Sequence, residues 1–160
     1  MKHASSDDLR LRNATTADAP ELSAVAREAK ALWGYGEAWL EAWRGDLTIT
    51  ASDIERMIVR VAESDGIIAG FGAADRVDGV WEVAHLWVRP RCARQGIGRM
   101  LLGSLVGAVR EVGGRRIRIE SDPHAETFYV KAGALRVGAR PAPMPGAEHR
   151  VLPVLELSLE

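Results

Sequence analysis

The segment Val80–Leu102, VWEVAHLWVRPRCARQGIGRMLL, constrains this chain more than any other. Its first nine residues are rich in β-branched and aromatic side chains and read as a strand; Pro90 ends it. A basic loop with glycines at 96 and 98 follows, and then Ile97, Leu101, Leu105, Ala108 and Val112 recur on one helical face. The spacing predicts a helix over 97–112, stopped by Gly113-Gly114. The first amides of such a helix have no intrahelical acceptor and carry the positive end of its dipole. Glycines at 96 and 98 remove side chains that would keep a phosphate from those amides, while Arg94 and Arg99 add charge. The arrangement reads as a pyrophosphate cradle rather than as a helix that merely begins with glycines. A Walker loop would need Lys-Ser/Thr where Arg99-Met100 stands, and a Rossmann fingerprint would need a small residue in place of Leu101.

Composition narrows the classes further. The chain has 160 residues, enough for one domain over 1–160 with a real core. Its 21 basic and 22 acidic residues leave a net charge of −1, which offers no electrostatic footprint for nucleic acid. The lone Cys92 cannot form an internal disulfide, and His3, His85, His124 and His149 lack metal-ligand spacing, so no metal site is expected. No apolar run is long enough to span a membrane. The opening MKHASSDDLRLR lacks the apolar core of a signal peptide, so a cytoplasmic location is expected, with residues 1–8 a loose tail.

The remaining pattern predicts alternating but not strictly βαβ elements. Residues 9–12 read as a strand and a helix runs to about Trp33, stopped by Gly34 and Gly36. An aromatic helical stretch carries Trp39, Leu40 and Trp43, and Ser52-Asp53 is expected to cap a further turn. Asp65-Gly66 and Asp78-Gly79 are hairpin turns, dividing residues 57–88 into antiparallel strands 57–63, 67–75 and 80–88. Strand 115–120, a short helix at 123–132 closed by Gly133, strand 134–138, a proline-rich loop Arg140–His149 and strand 151–159 complete the chain. Pro153 marks a bulge or an unpaired position in that last strand. Gly103 and Gly107 in the central helix suggest close packing on the sheet. The expected class is α+β: a mixed, mostly antiparallel sheet of about seven strands flanked by helices, with 80–88 and 115–120 as its one parallel pair.

The 93–99 loop resembles the acetyl-CoA motif of the GCN5-related N-acetyltransferase (GNAT) superfamily, Arg/Gln-x-x-Gly-x-Gly/Ala, with Ala93 at the Arg/Gln position and Arg94 a substitute for it. Leu11–Pro20 is similar to the family's opening strand and helix cap. Asp122-Pro123-His124-Ala125, Phe128-Tyr129 and Gly133-Ala134 are similar to its second motif, with Asp122 replacing the usual Asn and Ala134 the usual Phe. The resemblance implies that strands 80–88 and 115–120 splay apart and admit the cofactor arm. It implies that the backbone of Leu86, Trp87 and Val88 pairs with the pantetheine, and that the amides of Arg94, Gln95, Gly96, Ile97, Gly98 and Arg99 hold the pyrophosphate. Asp122 and Tyr129 are further implied cofactor contacts, and homodimers are common in the family.

Acyl transfer to an amine needs a neutral nucleophile, an oxyanion donor and a proton for the departing thiolate. The resemblance implies the Val88 amide as oxyanion donor and Tyr129 as proton donor, against a plain core role for that tyrosine. Glu82, in an apolar setting, is the candidate base, against a plain ion pair with an arginine. Strict alternation would put Glu82, Ala84, Leu86 and Val88 on one face and His85 on the other. A covalent acyl-enzyme on Cys92 is the runner-up mechanism. Trp33, Tyr35, Trp39 and Trp43 line either an acceptor pocket or a core or dimer contact, and the 140–149 loop is either a lid or a surface hairpin. The expected function is direct, acetyl-CoA-dependent acetylation of a primary amine on a small molecule. The alternatives are a protein N-terminal or lysine acetyltransferase and a non-catalytic CoA-binding module.

Overall fold

Two Asp-Gly turns organise the sheet. Asp65 and Gly66 take φ of +52° and +77°, and Asp78 and Gly79 take +50° and +80°, the left-handed pair that a two-residue hairpin with the native strand twist requires. In this computed structural model, which describes residues 8–160, they join β2 (Ile58–Ser64), β3 (Ile67–Val77) and β4 (Val80–Val88). The predicted loose tail lies outside the described residues except for Asp8.

With β1 (Arg10–Asn13), β5 (Arg116–Glu120), β6 (Leu135–Pro141) and β7 (Val151–Ser158), they form a seven-stranded sheet in the order β1-β2-β3-β4-β5-β7-β6. Every neighbouring pair is antiparallel except β4–β5. The fold is α+β, as the sequence predicts. Pro153 sits where the β5 ladder ends. Its carbonyl accepts from Ser121 at 2.9 Å, one position past the last β5–β7 pair, so no strand donor is lost there.

Helices cover both faces. On one lie α1 (Ala19–Ala31), α2 (Glu37–Ala42) and α3 (Ala51–Arg56), and Leu22, Val25 and Ala26 of α1 pack on Val59, Val61 and Phe71. Thr50, not Ser52-Asp53, caps α3. Its hydroxyl accepts from the Asp53 amide at 3.1 Å and the Asp53 carboxylate accepts from the Thr50 amide at 2.9 Å, a reciprocal box with Asp at the third helical position.

On the other face α4 (Ile97–Glu111) buries Leu101, Leu105 and Val109, and α5 (Glu126–Lys131) follows a short turn at Pro123–Ala125. The close approach of α4 comes from the sheet, not from Gly103 and Gly107, where an added Cβ would meet nothing within 4 Å. It comes from β3: a Cβ at Gly72 would lie 2.9 Å from Leu105 Cδ1, and one at Gly70 would lie 2.7 Å from the Trp87 carbonyl oxygen and 3.3 Å from Leu101 Cδ1. Gly70→Ala therefore forces β3 from β4 rather than displacing a flexible side-chain tip. We expect a loss of about 1–3 kcal/mol, read as a lower urea midpoint at unchanged m-value.

Candidate active site

β4 and β5 run parallel, yet only Glu82 and Arg118 are register partners. Beyond that pair the strands part, and a cavity of about 500 Å³ runs through the sheet. It begins at the 93–99 loop on the α4 face and ends against Ala29, Leu32 and Trp33 of α1 and its C-terminal loop.

The direction of the β4 amides follows from its pairing with β3. The Arg89 amide donates to Ala69 O at 2.8 Å, and Gly70↔Val88, Phe71↔Trp87 and Gly72↔Leu86 are the next pairs. Antiparallel pairs alternate, so the amides and carbonyls of Leu86 and Val88 face the gap while those of Trp87 face β3. Val88 thus holds an amide donor toward the cavity, and Trp87 contributes its side chain to the lining.

The loop before α4 is curled by two left-handed residues, Arg94 at φ +64° and Gly96 at +77°. The first intrahelical bond is Met100 N to Gly96 O at 3.0 Å, which leaves the amides of Ile97, Gly98 and Arg99 without helical acceptors. Arg94 and Arg99 are exposed beside them. Gln95 does not line the cavity, and its side-chain oxygen is buried without a partner among the described residues. A Cβ at Gly98 would touch the Phe128 ring at 3.5 Å and Val88 Cγ2 at 3.8 Å, so the two sequence motifs meet across this loop. The open amides, flanking guanidinium groups and missing side chains fit the diphosphate of a CoA ester.

Tyr129 lies on α5, packed edge-on to Phe128 with ring centres 5.1 Å apart, and it lines the cavity. It is 7% exposed, its hydroxyl has no hydrogen-bond partner among the described residues, and burial pushes its pKa well above the ordinary phenol value. The phenol keeps its proton, so at neutral pH it is a proton donor and not a base.

Glu82 and His85 share a face, contrary to strict alternation. Ala73 pairs with His85 and Ala74 with Val83, so Ala84 is an extra residue, a bulge in β4. Trp81 and Val83 before it, and Leu86 and Val88 after it, pack toward α4. Glu82, His85 and Trp87 therefore all turn to the α1 side. His85 and Trp87 line the cavity, whereas Glu82 stands beside it near Glu120. Burial, then the Glu120 charge, raises the Glu82 pKa above the ordinary carboxyl value against the opposing pull of Arg118. Burial lowers His85 to about 4. The Trp87 indole N–H donates to His85 Nδ1 at 3.0 Å, so the neutral ring carries its proton on Nε2 and has no free basic nitrogen. Cys92 is buried in the lining, and no base is bonded to its sulfur among the described residues. No group of three or more His, Cys, Asp or Glu among the described residues could hold a metal ion.

Asp122 is the hub of a network that sequence reasoning missed. Its Oδ2 accepts from Lys30 Nζ at 2.7 Å and from the Tyr35 hydroxyl at 2.8 Å, and its Oδ1 accepts from the His124 amide at 2.9 Å. Burial works against the charged carboxylate, but the Lys30 and His124 bonds prevail and bring its pKa to about 2. Lys30 is 9% exposed and burial lowers its pKa despite Asp122. Its Nζ lies 4.2 Å from the Trp43 ring centre, 5.1 Å from Tyr35 and 5.9 Å from Trp87. Trp33 stacks on His124 at 5.0 Å, and the Trp39 indole donates to Pro145 O at 3.0 Å. The aromatic cluster thus reaches the α1 end of the cavity through Trp33, Trp87 and His124, and meets the 140–149 loop at Pro145. A lysine near a helix C-terminus ordinarily reads as a solvated cap; a partner 92 residues away leaves no local signal.

A parallel strand pair splayed at a glycine-loop helix, with a protonated tyrosine in the gap, defines a CoA-dependent acyltransferase. The profile of the Acetyltransferase (GNAT) family matches residues 15–134, and the chain belongs to that family. It is an acetyl-CoA-dependent acetyltransferase. Among solved structures, a Rhodopseudomonas palustris GCN5-related N-acetyltransferase superposes with a TM-score of 0.79 at 20% identity, covering 99% of this chain and 98% of that one. A PaiA N-acetyltransferase from Thermoplasma acidophilum in complex with coenzyme A gives 0.72 at 20% identity, covering 94% and 98%. A Salmonella typhimurium protein solved with its cofactor acetyl-CoA gives 0.69 at 19%, covering 95% and 94%. No curated protein sequence matches significantly.

The depressed Asp122 pKa stabilises the fold above the ordinary carboxyl range, and that contribution is lost as pH falls toward about 2. Asp122→Asn leaves the Lys30 ammonium buried without a counter-charge, at a cost of about 3 kcal/mol at pH 7. Urea denaturation from pH 7 to 2 is expected to show the two proteins converging below pH ~4.

Proposed function

We propose that this enzyme transfers the acetyl group of acetyl-CoA directly to a primary amine of a small molecule within a ternary complex, in the cytoplasm. The closed aromatic cluster beside the α1 end of the gap carries the reading: Trp39 of α2 is bonded to Pro145 of the loop before β7, which favours a compact acceptor over a folded protein surface. Acetyl-CoA supplies an acyl group activated as a thioester. The Leu86 and Val88 peptide groups align the pantetheine arm in the gap, and the amides from Arg94 to Arg99 hold the diphosphate. Asp122, which lines the cavity, fixes the turn before α5 by accepting from the His124 amide and keeps its place as an implied cofactor contact.

The Val88 amide donates to the carbonyl oxygen on which charge gathers. Glu82 takes up, through water, the proton that the ammonium must lose, and Tyr129 Oη delivers one to the departing sulfur. Glu82 is preferred to His85 because the histidine is neutral, with Nδ1 already accepting from Trp87. Direct transfer is preferred to an acyl-enzyme because no base is bonded to Cys92 among the described residues.

An amine panel assayed with acetyl-CoA for thiol release tests the reading; release dependent on small amines supports it, and turnover of protein substrates alone refutes the acceptor class. Tyr129→Phe is expected to lower kcat about 10²-fold while acetyl-CoA still binds. Unchanged turnover would leave Tyr129 a packing residue.

A base acts unprotonated, so the rate should rise with pH through the raised Glu82 pKa. In Glu82→Gln that rising limb is expected to disappear and kcat to fall about tenfold or more. An unaltered pH profile would assign the proton to solvent.

A further inference from the structure

The aromatic cluster beside the α1 end of the cavity carries one positive charge too many. Arg150, half-buried before β7, places its guanidinium carbon 5.2 Å from the Trp43 ring centre, 5.7 Å from Trp39 and 5.9 Å from Tyr35. Lys30 sits against two of the same rings, and the Arg150 charge is near enough to depress the Lys30 pKa. Asp122 is the carboxylate bonded in this cluster, and it is spent on Lys30, Tyr35 and His124. Arg150 itself donates to Ala142 O at 3.3 Å and lies near the Tyr35 hydroxyl. Among the described residues no carboxylate pairs with it.

Two cations against one carboxylate, walled by aromatic rings, leave a guanidinium whose remaining N–H donors have nothing anionic to bind. Aromatic faces relieve part of that desolvation but accept no fork of two parallel hydrogen bonds, which a carboxylate does. The cluster reaches the cavity through its shared members. His124, which Tyr35 meets edge-on at 5.4 Å, lines it. So does Trp87, one of the rings around Lys30.

We propose that Arg150 reads a carboxylate on the acceptor, so that the amine this enzyme acetylates belongs to an amino acid. The proposal rests on the small-amine reading above and deepens it. The acid group sits on Arg150 under Trp39 and Trp43, and the amino group points back toward Glu82 and the gap. Lys30, neutralised by Asp122, keeps the aromatic wall in place and does not compete for the ligand.

The test compares the twenty common amino acids, β-alanine and γ-aminobutyrate with their carboxamides, using acetyl-CoA and the complete chain. At least one acid is expected to exceed its amide by about tenfold or more in kcat/KM. Arg150→Gln should raise KM for that acid and erase the preference, with kcat changed less, and Arg150→Lys should restore part of it. Calorimetric titration of the acids and their N-acetyl derivatives into the wild-type enzyme with CoA keeps the question open to measurement if no panel member turns over. Binding lost in Arg150→Gln supports the proposal. Amides acetylated as well as acids, equal loss on acids and amides in Arg150→Gln, or no binding of any acid or N-acetyl derivative would overturn it. Amides turning over alone would refute the carboxylate while leaving the small-amine reading standing; a protein substrate alone would refute the latter.

Discussion

A strand edge left unpaired inside the sheet is the constraint on which the rest of this structure depends. β4 is held to β3 along its length but to β5 at a single register position. Its Leu86 and Val88 peptide groups are thus turned to a gap instead of a neighbouring strand. Backbone donors and acceptors in such a place need partners, and an extended ligand arm carrying amides can supply them as a further strand would. The glycine loop lies at one mouth of that gap and the aromatic cluster at the other. The same unpaired edge is therefore open from both faces of the sheet.

What keeps the edge in place is packing on the α4 side and charge on the α1 side. Gly70 and Gly72 let α4 press Leu101 and Leu105 against β3 and β4, where a side chain of any size would open the interface. Across the sheet, the Lys30–Asp122 pair ties the end of α1 to the turn before α5, and so couples the aromatic wall around Lys30 to the element that carries Tyr129. A buried ion pair is a poor source of net stability. Here it joins segments that no strand ladder connects, and the aromatic rings around Lys30 moderate the cost of hiding an ammonium from water.

The chemistry follows from which groups the fold keeps protonated. Tyr129 is buried without a partner, so its phenol holds its proton. His85 is buried against an indole donor, so its imidazole stays neutral and is a poor base. Glu82, close to Glu120, is pushed the other way, toward holding a proton longer than a free carboxyl would. Burial pushes the Tyr129 phenol and the Glu82 carboxyl the same way, upward, so residue type rather than the direction of the shift distinguishes the two.

Much of this was written locally. The Asp-Gly hairpins, the α4 face and the glycine loop depend on turn geometry and helical period, which neighbouring residues determine among themselves, and the resemblance of two short motifs carried the family. Three features differ from that local reading. The bulge at Ala84 inverts the faces of Leu86 and Val88 relative to Glu82, and only the register against β3 reveals it. Thr50 displaced Ser52-Asp53 as the α3 cap because a reciprocal box satisfies two amides where Ser52 would satisfy one. Gly103 and Gly107 proved to face open space because the close contact lies on β3. The sequence by itself determined the elements, the phosphate loop and the family. Tertiary structure alone decided the cluster where Lys30, Asp122, Trp43 and Arg150 meet, because contacts between residues so far apart in the chain leave no periodic trace in it.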